Sequence, residues 1–143
     1  LVRPGIFLYG GRVGRFSAEP VVRLRARVLA LRDVRAGDGV SYGAAWTAPR
    51  DTTIATLGIG YADGILRSLG NRGAVELNGQ VVPIVGRVTM DFTMLSIEPP
   101  CAVGDVATLF GGLVSLDELA TRAGTISYEL LTAMGPRVAR RYS

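Results

Sequence analysis

Hydrophobic residues and arginines alternate along the segment 21–31, in the first third of the chain. One face of this alternation carries Val22, Leu24, Ala26, Val28 and Ala30, and the other carries Arg23, Arg25 and Arg27. A period of two is typical of a β-strand with one buried face. We interpret the arginine face as the solvated outside of a barrel strand, with a binding stripe for anions as the alternative. A turn is predicted at 33–39, where glycine and aspartate cluster.

Similar short runs along the rest of the chain predict further strands at 40–46, 53–60, 74–77, 80–85, 92–97 and 106–110. They contain many β-branched residues and are bounded by turn residues. Asn78-Gly79 is the strongest hairpin signal, because that pair suits a tight turn with positive φ at both positions. The apolar run 1–10 is also predicted as a strand, and 137–142 as a last edge strand.

Two short helices are predicted near the C-terminal end. Ser115 and Glu118 form a capping box that begins a helix, and Gly124 ends it. Ser127 is predicted to cap a second helix at 128–134. Many short strands with turn signals roughly every ten residues, followed by two short helices, predict a mainly β fold: a small β-barrel-like domain or a sandwich.

Composition supports one folded domain. The chain has 143 residues, enough for a core, and 48% of them are hydrophobic, which argues against disorder. No apolar run approaches the roughly 20 residues that a membrane helix needs. The chain starts with Leu-Val-Arg-Pro-Gly, without an initiator Met or a signal-peptide pattern, so we expect it to be a piece of a longer protein.

The basic residues are unusual in kind. All 16 are arginine, and the chain contains neither lysine nor histidine. A Schiff base to a carbonyl cofactor, or an imidazole that shuttles protons or binds a metal, must therefore come from elsewhere. The lone Cys101 excludes an internal disulfide and a multi-cysteine zinc site, so no metal site is predicted. A net charge of +4 suits an anionic partner, although an all-arginine set also fits a compositional bias of the genome.

Two stretches carry candidate chemistry. In Gly39-Val40-Ser41-Tyr42-Gly43, a tyrosine at a strand end is flanked by small residues that allow close approach. Tyr42 could reach into a cleft, or it could be an ordinary tyrosine on a half-buried strand with its hydroxyl in water. Gly5 and Ile6 could offer backbone N–H groups to an anion.

Six motifs, in their order and spacing, resemble the C-terminal part of the alanine racemases: VRPGI (2–6), VSYG (40–43), GYADG (60–64), GRVTMD (86–91), ISYE (126–129) and RVAR (137–140). The resemblance implies a pyridoxal 5′-phosphate (PLP) enzyme with an N-terminal TIM-like barrel and a C-terminal β domain, working as a head-to-tail homodimer. It implies that 1–10 are the end of the N-terminal barrel, its last strand and phosphate-binding turn, and that 11–143 are the C-terminal β domain.

The resemblance also implies roles for single residues that act across the dimer. Tyr42 matches one of the two catalytic bases and serves the active site of the partner subunit. Met90 matches a residue whose backbone lies at the substrate carboxylate, again across the dimer. The substrate entryway is matched by Tyr61, Arg67, Arg87, Asp91, Ile126 and Arg140. A free tyrosine has a pKa of about 10, so this base would need positive charge nearby.

Other matches concern the cofactor. Gly5 and Ile6 match residues whose backbone N–H groups hold its phosphate, and Tyr128 matches a tyrosine whose hydroxyl does the same. Arg3 matches the arginine that faces the pyridine nitrogen, and an arginine there stays protonated and leaves that nitrogen unprotonated. The lysine that binds the cofactor and acts as the other base lies in the N-terminal barrel, so we expect the isolated chain to be inactive.

The implied activity is the interconversion of L- and D-alanine, with D-alanine supplied to peptidoglycan synthesis in the cytoplasm. The resemblance implies no nucleic-acid or membrane partner. A broad-specificity amino-acid racemase domain is an alternative, because these motifs are shared. An arginine-rich β-barrel that binds nucleic acid is another, although only 7% of the residues are aromatic and no strand pairs aromatics for base stacking. A third is a purely structural dimerisation module.

Overall fold

A computed structural model describes residues 1–98 and 100–142, and within them the chain forms a closed β-barrel with two helices. The strands are β1 Leu24–Val34, β2 Gly39–Val40, β3 Trp46–Thr47, β4 Thr52–Leu57, β5 Ala74–Leu77, β6 Gln80–Val85, β7 Thr93–Ile97 and β8 Val106–Phe110. The helices are α1 Leu116–Ala123 and α2 Ser127–Ala133. The barrel order is β1-β4-β7-β6-β5-β8, with antiparallel pairing between neighbours, while β2 and β3 form a separate small sheet. The predicted mainly β barrel with two short helices is confirmed.

The long strand β1 closes the barrel, because its first half pairs with β8 and its second half with β4. The predicted alternation holds at the start of β1, where Leu24, Ala26 and Val28 are buried while Arg25 and Arg27 are exposed. The prediction that Ala30 shares the buried face is wrong. A register shift between Val28 and Ala30 against β4 inserts an extra residue, and such a bulge turns the following side chains over.

The barrel interior is apolar, and the helices close it. The side chains that are buried within it include Leu57, Leu77, Leu95, Leu109 and Phe110 from the strands and Leu119 and Leu130 from the helices. A second, smaller cluster lies beside the barrel and contains Val34, Val40, Ala48, Ile54 and Val85. Because Val40 belongs to this cluster, the small β2–β3 sheet is attached to the barrel wall at a fixed place.

Locally encoded turns follow the predictions. The hairpin 74–85 turns at Asn78 and Gly79, with φ values of 50° and 76°. Ser115 caps α1 by accepting a 3.1 Å hydrogen bond from the Glu118 N–H, and Gly124 ends that helix in the left-handed region.

The cap predicted for the second helix is wrong by one residue. Ile126 is the N-cap of α2, and Ser127 is its first residue. The Ser127 hydroxyl hydrogen-bonds the Asp117 carboxylate of α1 instead. This contact joins the two helices, so the serine serves tertiary packing rather than the helix end.

Three predicted strands are absent or broken, and the one predicted at 53–60 ends at Leu57. The segment 40–46 is broken by a 3₁₀ turn at Tyr42–Ala44, and the segment 1–10 contains a 3₁₀ helix at Gly5–Tyr9 rather than a strand. The segment 137–142 forms no strand either, and its start is a turn in which the Val138 N–H donates to Gly135. Glycines with positive φ, such as Gly5 at 56°, favour turns over extended chain. The domain boundary at residues 10 and 11 stays a prediction.

Neither helix in the described part of the chain has the length or the apolar character that crossing a bilayer requires.

Candidate active-site surfaces

Tyr42 lies on the outside of the molecule, on the turn between β2 and β3. Its side chain is among the most exposed large residues, with 74% of the residue surface accessible. The hydroxyl therefore opens onto solvent. A ring packed into the interior would have excluded a role in an active site, and the Tyr42 ring is not packed there. An exposed phenol at this place is available to a molecule or subunit that covers the turn.

The Tyr42 turn, residues 41–45, has an unusual backbone. Ser41 has φ 69° and ψ 176°, and Ala44 has φ 47°. A residue with a side chain in such conformations costs about 1–3 kcal/mol, and the Ser41 combination is almost confined to glycine. Backbone strain of this kind persists only where the surroundings impose it, and it concentrates at functional sites.

Contacts from a neighbouring loop impose this conformation. The Arg87 N–H donates to the Ser41 hydroxyl at 3.1 Å, and the same hydroxyl lies 3.3 Å from the Arg87 carbonyl, to which it donates. The side-chain amide of Asn71 donates to the Ala45 carbonyl at 2.9 Å and accepts from the Gly86 N–H at 2.6 Å. Both ends of the Tyr42 turn are thus connected to residues 86–87.

The loop that continues from Arg87 carries Met90 beside the GYADG turn. The Tyr61 N–H donates to the Thr89 carbonyl at 2.9 Å, and the Ala62 N–H donates to the Met90 carbonyl at 3.0 Å. The Arg67 guanidinium lies 6.0 Å from the centre of the Tyr61 ring. One continuous surface therefore contains six of the residues singled out from the sequence, and we call it the rim surface: Tyr42, Tyr61, Arg67, Arg87, Met90 and Asp91.

Arg137 connects the rim surface to the C-terminal segment, and the sequence analysis gave it no role. Its guanidinium lies 3.1 Å from the Asp63 carboxylate and 2.6 Å from the Asp91 carboxylate. Asp63 is only 7% exposed and also accepts the Gly60 N–H at 2.9 Å. A buried carboxylate needs such partners, so Arg137 is what allows Asp63 to fix the GYADG turn. The hydrogen bond to Asp91 raises the pKa of the Arg137 guanidinium most, and the charge of Asp63 raises it further, so Arg137 stays a cation.

A second group of predicted residues meets at the other end of the chain. The Ile6 N–H donates to the Tyr128 hydroxyl at 2.7 Å across 122 positions of sequence. Gly5 has φ 56°, and a Cβ on it would overlap that hydroxyl. We call Gly5, Ile6 and Tyr128 the Gly5 site. The Tyr128 hydroxyl accepts the Ile6 N–H, so its own proton remains free to donate to an anion.

The remaining predicted residues are not among those of the rim surface. Ile126 is at the start of α2, and Arg140 lines a cavity of about 480 Å³ together with Tyr9 and Tyr128. Arg140 also donates to the Met134 carbonyl at 3.0 Å. Arg3 is exposed, and its side chain makes no hydrogen bond to another described residue.

The single cysteine belongs to neither surface. Cys101 is half-buried beside the turn that precedes β8. Burial raises the pKa of its thiol, and the Asp105 carboxylate raises it further through its charge and a hydrogen bond. A thiol with a raised pKa is a poor nucleophile at neutral pH. The described residues also contain no group of three or more acidic, cysteine or histidine side chains that could hold a metal.

The thiol pKa gives a direct check on this environment. Replacing Asp105 by asparagine removes the negative charge, so the thiolate becomes less unfavourable and the thiol pKa falls. We expect the reaction of Cys101 with a disulfide reagent at pH 8 to be faster in Asp105→Asn than in the original chain, with the rate–pH curve displaced to lower pH. An unchanged midpoint would show that burial alone sets the thiol pKa, and a higher midpoint would contradict the charge effect assigned to Asp105.

These features define a small β-barrel domain with two separate candidate sites. A family model described as alanine racemase, C-terminal domain, matches residues 21–142. The alanine racemase of Rhodospirillum rubrum is 46% identical over 149 residues, covering 99% of this chain, and that of Acidiphilium cryptum is 43% identical over 145 residues, covering 98%. The chain belongs to the alanine racemase C-terminal domain family.

Solved structures agree with this assignment. The biosynthetic alanine racemase from Pseudomonas aeruginosa superimposes with a TM-score of 0.91 at 39% identity, covering 97% of this chain and 41% of that one. The alanine racemase from Bartonella henselae, with covalently bound pyridoxal phosphate, gives 0.90 at 36% identity, covering 97% of this chain and 40% of that one. The chain spans 40% and 41% of the lengths of the Rhodospirillum and Acidiphilium relatives.

Proposed function

We propose that this chain is the C-terminal β domain of a PLP-dependent alanine racemase that interconverts L- and D-alanine. The observation that carries the proposal is the exposed Tyr42 phenol on a turn whose strained backbone is held by Ser41 and Asn71. The enzyme would work in the cytoplasm and supply D-alanine for peptidoglycan. A racemase with broader amino-acid specificity is the alternative, since the rim surface alone does not select a side chain.

Racemisation requires removal of the α-proton from one face of the amino acid and its return on the other. Two acid–base groups on opposite faces do this most simply. In the proposal, Tyr42 handles the proton on one face with its hydroxyl oxygen. Its exposure leaves that oxygen free to approach a substrate held by another subunit, and the fixed turn limits the positions that the ring can take.

The Gly5 site fits the phosphate of PLP. A backbone N–H, a tyrosine hydroxyl with a free proton and a glycine too crowded for a side chain converge there. Tyr128 would donate its free hydroxyl proton to a phosphate oxygen, the Ile6 N–H would exchange the Tyr128 hydroxyl for a phosphate oxygen, and Arg3 would face the pyridine nitrogen. When bound, PLP supplies an electron sink next to the α-carbon. The chain has no lysine, so a covalent attachment would come from outside these 143 residues.

The exposure of Tyr42 and Met90 supports sharing between subunits. Tyr42 and Met90 lie on the rim surface, and no hydrogen bond between described residues connects the Tyr42 turn directly to the Gly5 site. Met90 is 53% exposed, and its N–H has no acceptor among the described residues. A head-to-tail homodimer would cover both exposed side chains and bring the Met90 N–H to the carboxylate of a substrate bound at the partner's Gly5 site.

The proposal is tested with the full-length protein that contains this chain. Supplied with PLP, it should convert L-alanine into D-alanine and the reverse, as measured by chiral chromatography. The isolated 143-residue chain should show no conversion, because it contributes no lysine. A full-length protein that racemises serine as fast as alanine would favour the broad-specificity alternative. Absence of racemisation with every amino acid tested would refute the proposal.

A further inference from the structure

We propose that Asn71 is a positioning residue for Tyr42, an inference that rests on the function proposed above. Asn71 lies in none of the motifs that carry the family resemblance, and it follows the short 3₁₀ helix Arg67–Leu69. Its side-chain amide is nevertheless the second connection between the Tyr42 turn and the loop at residues 86–87.

The hydrogen bonds form a closed circuit around the tyrosine. On one side of Tyr42, the Ser41 hydroxyl bonds the backbone of Arg87. On the other side, the Ala45 carbonyl accepts from the Asn71 amide, whose oxygen accepts from the N–H of Gly86. Tyr42 therefore lies between two anchors that end on adjacent residues of one loop, so the turn cannot tilt without breaking one of them.

The residue type at position 71 is specific to this task. One side chain must donate to a carbonyl and accept from an N–H at the same time, and a primary amide does both. The backbone at Asn71 has φ 59°, in the left-handed region that asparagine tolerates better than other residues with side chains. The opposing loop is close, because a Cβ on Gly86 would lie 2.5 Å from the Cβ of Ser41.

Loss of the Asn71 anchor should affect catalysis more than folding. The side chain is exposed, so its hydrogen bonds replace hydrogen bonds to water at little net gain in stability. The turn would then be held at its Ser41 end only, so the strained Ala44 at its other end could relax towards an ordinary conformation and move the ring. A displacement of about 1 Å in a catalytic group lowers the rate by about a hundredfold.

The chain offers a matched control at Asn78. This asparagine also has positive φ, at 50°, is also exposed, and its amide also makes two hydrogen bonds, to Pro100 and Asp105. It lies at the hairpin turn between β5 and β6, outside the circuit around Tyr42. Asn71→Gly and Asn78→Gly therefore remove equivalent side chains without adding backbone strain.

The test compares these two variants in the full-length enzyme by kinetics with α-deuterated alanine. We expect Asn71→Gly to lower kcat by about tenfold to a hundredfold while KM changes little. Because only the proton transfer by Tyr42 is slowed, the α-deuterium isotope effect should rise in one direction of the reaction and fall in the other. Asn78→Gly should leave both directions unchanged. Equal behaviour of the two variants would overturn the inference.

A second measurement keeps the inference separate from the proposed function. The Ala44 N–H donates to the Ser41 carbonyl at 3.1 Å within the Tyr42 turn. Its hydrogen exchange should be faster in Asn71→Gly and unchanged in Asn78→Gly, whatever reaction the enzyme catalyses. Unchanged exchange would overturn the positioning role itself. If exchange is faster but the isotope effects do not change in opposite directions, Asn71 does hold the turn, and the proposed role of Tyr42 in proton transfer is wrong.

If Asn71→Gly does not fold, Asn71→Asp replaces it. The aspartate still accepts from the Gly86 N–H but cannot donate to the Ala45 carbonyl. We expect the α-deuterium isotope effect again to rise in one direction of the reaction and fall in the other, by smaller amounts than in Asn71→Gly. Isotope effects identical to those of the unaltered enzyme would overturn the inference.

Discussion

Tyr42→Phe is expected to lower kcat for alanine racemisation by about 10³-fold in the full-length enzyme, in both directions. The substitution keeps the ring and removes the only group at this position that can carry a proton. Proton exchange on the opposite face does not use Tyr42. One enantiomer should therefore still exchange its α-proton with deuterated water without turning into the other, which proton NMR measures directly.

Tyr142→Phe is the control for this substitution. Tyr142 is also exposed, at 91%, and no catalytic role is assigned to it. Its replacement should leave kcat unchanged. If Tyr42→Phe loses α-proton exchange for both enantiomers as well as racemisation, the substitution has disrupted the whole site rather than removed one acid–base group. That result would count against the role given to Tyr42.

Gly5→Ala is expected to weaken PLP binding by the full-length enzyme by about tenfold to a hundredfold. The new Cβ would overlap the Tyr128 hydroxyl, so the ring must move and that hydroxyl can no longer donate its proton to the phosphate. A hydrogen bond to a charged group contributes about 1.5–3 kcal/mol, and each 1.4 kcal/mol is about tenfold in affinity. The dissociation constant is measured by titrating the apoenzyme with PLP and following its absorbance.

Gly14→Ala separates crowding from backbone strain. Gly14 has φ 57°, almost the value of Gly5 at 56°, but beyond its chain neighbours no heavy atom of the described residues lies within 4 Å of the position that its Cβ would take. Both substitutions place alanine in the left-handed region, at a cost of about 1–2 kcal/mol. Only Gly5→Ala should affect the dissociation constant for PLP. Equal weakening by the two variants would mean that the Gly5 site does not bind the phosphate.

Local signals were enough to predict much of this fold. The turn at Asn78-Gly79 and the Ser115 cap on the Glu118 N–H are encoded by residues that contact each other along the chain, and the structure reproduces them. The other half of the predicted capping box is absent, because the Glu118 carboxylate accepts from Arg122 instead. The strand predicted across Tyr42 failed for the opposite reason. The positive φ of Ser41 is imposed by Arg87, 46 positions away, and the local sequence around Ser41 does not indicate that contact.

The same distinction divides the candidate sites. The order of the motifs led to Gly5, Ile6 and Tyr128 as one group, and the structure brings them into contact. The roles of Arg137, which stands in the RVAR motif, and of Asn71 could not be predicted. Arg137 contacts Asp63 and Asp91 only in the folded chain. The role of Asn71 becomes visible only when the structure brings the Ala45 carbonyl and the Gly86 N–H to its side chain.

The central claim, that Tyr42 acts in the active site of the other subunit, is tested most directly by mixing two inactive full-length enzymes. One carries Tyr42→Phe and the other lacks the cofactor-binding lysine of the N-terminal barrel. After unfolding and refolding together, half of the dimers are hybrids, and in each hybrid one of the two sites has both groups. We predict recovery of about a quarter of the original activity. A mixture that stays as inactive as its parents would show that Tyr42 and the lysine must belong to the same chain.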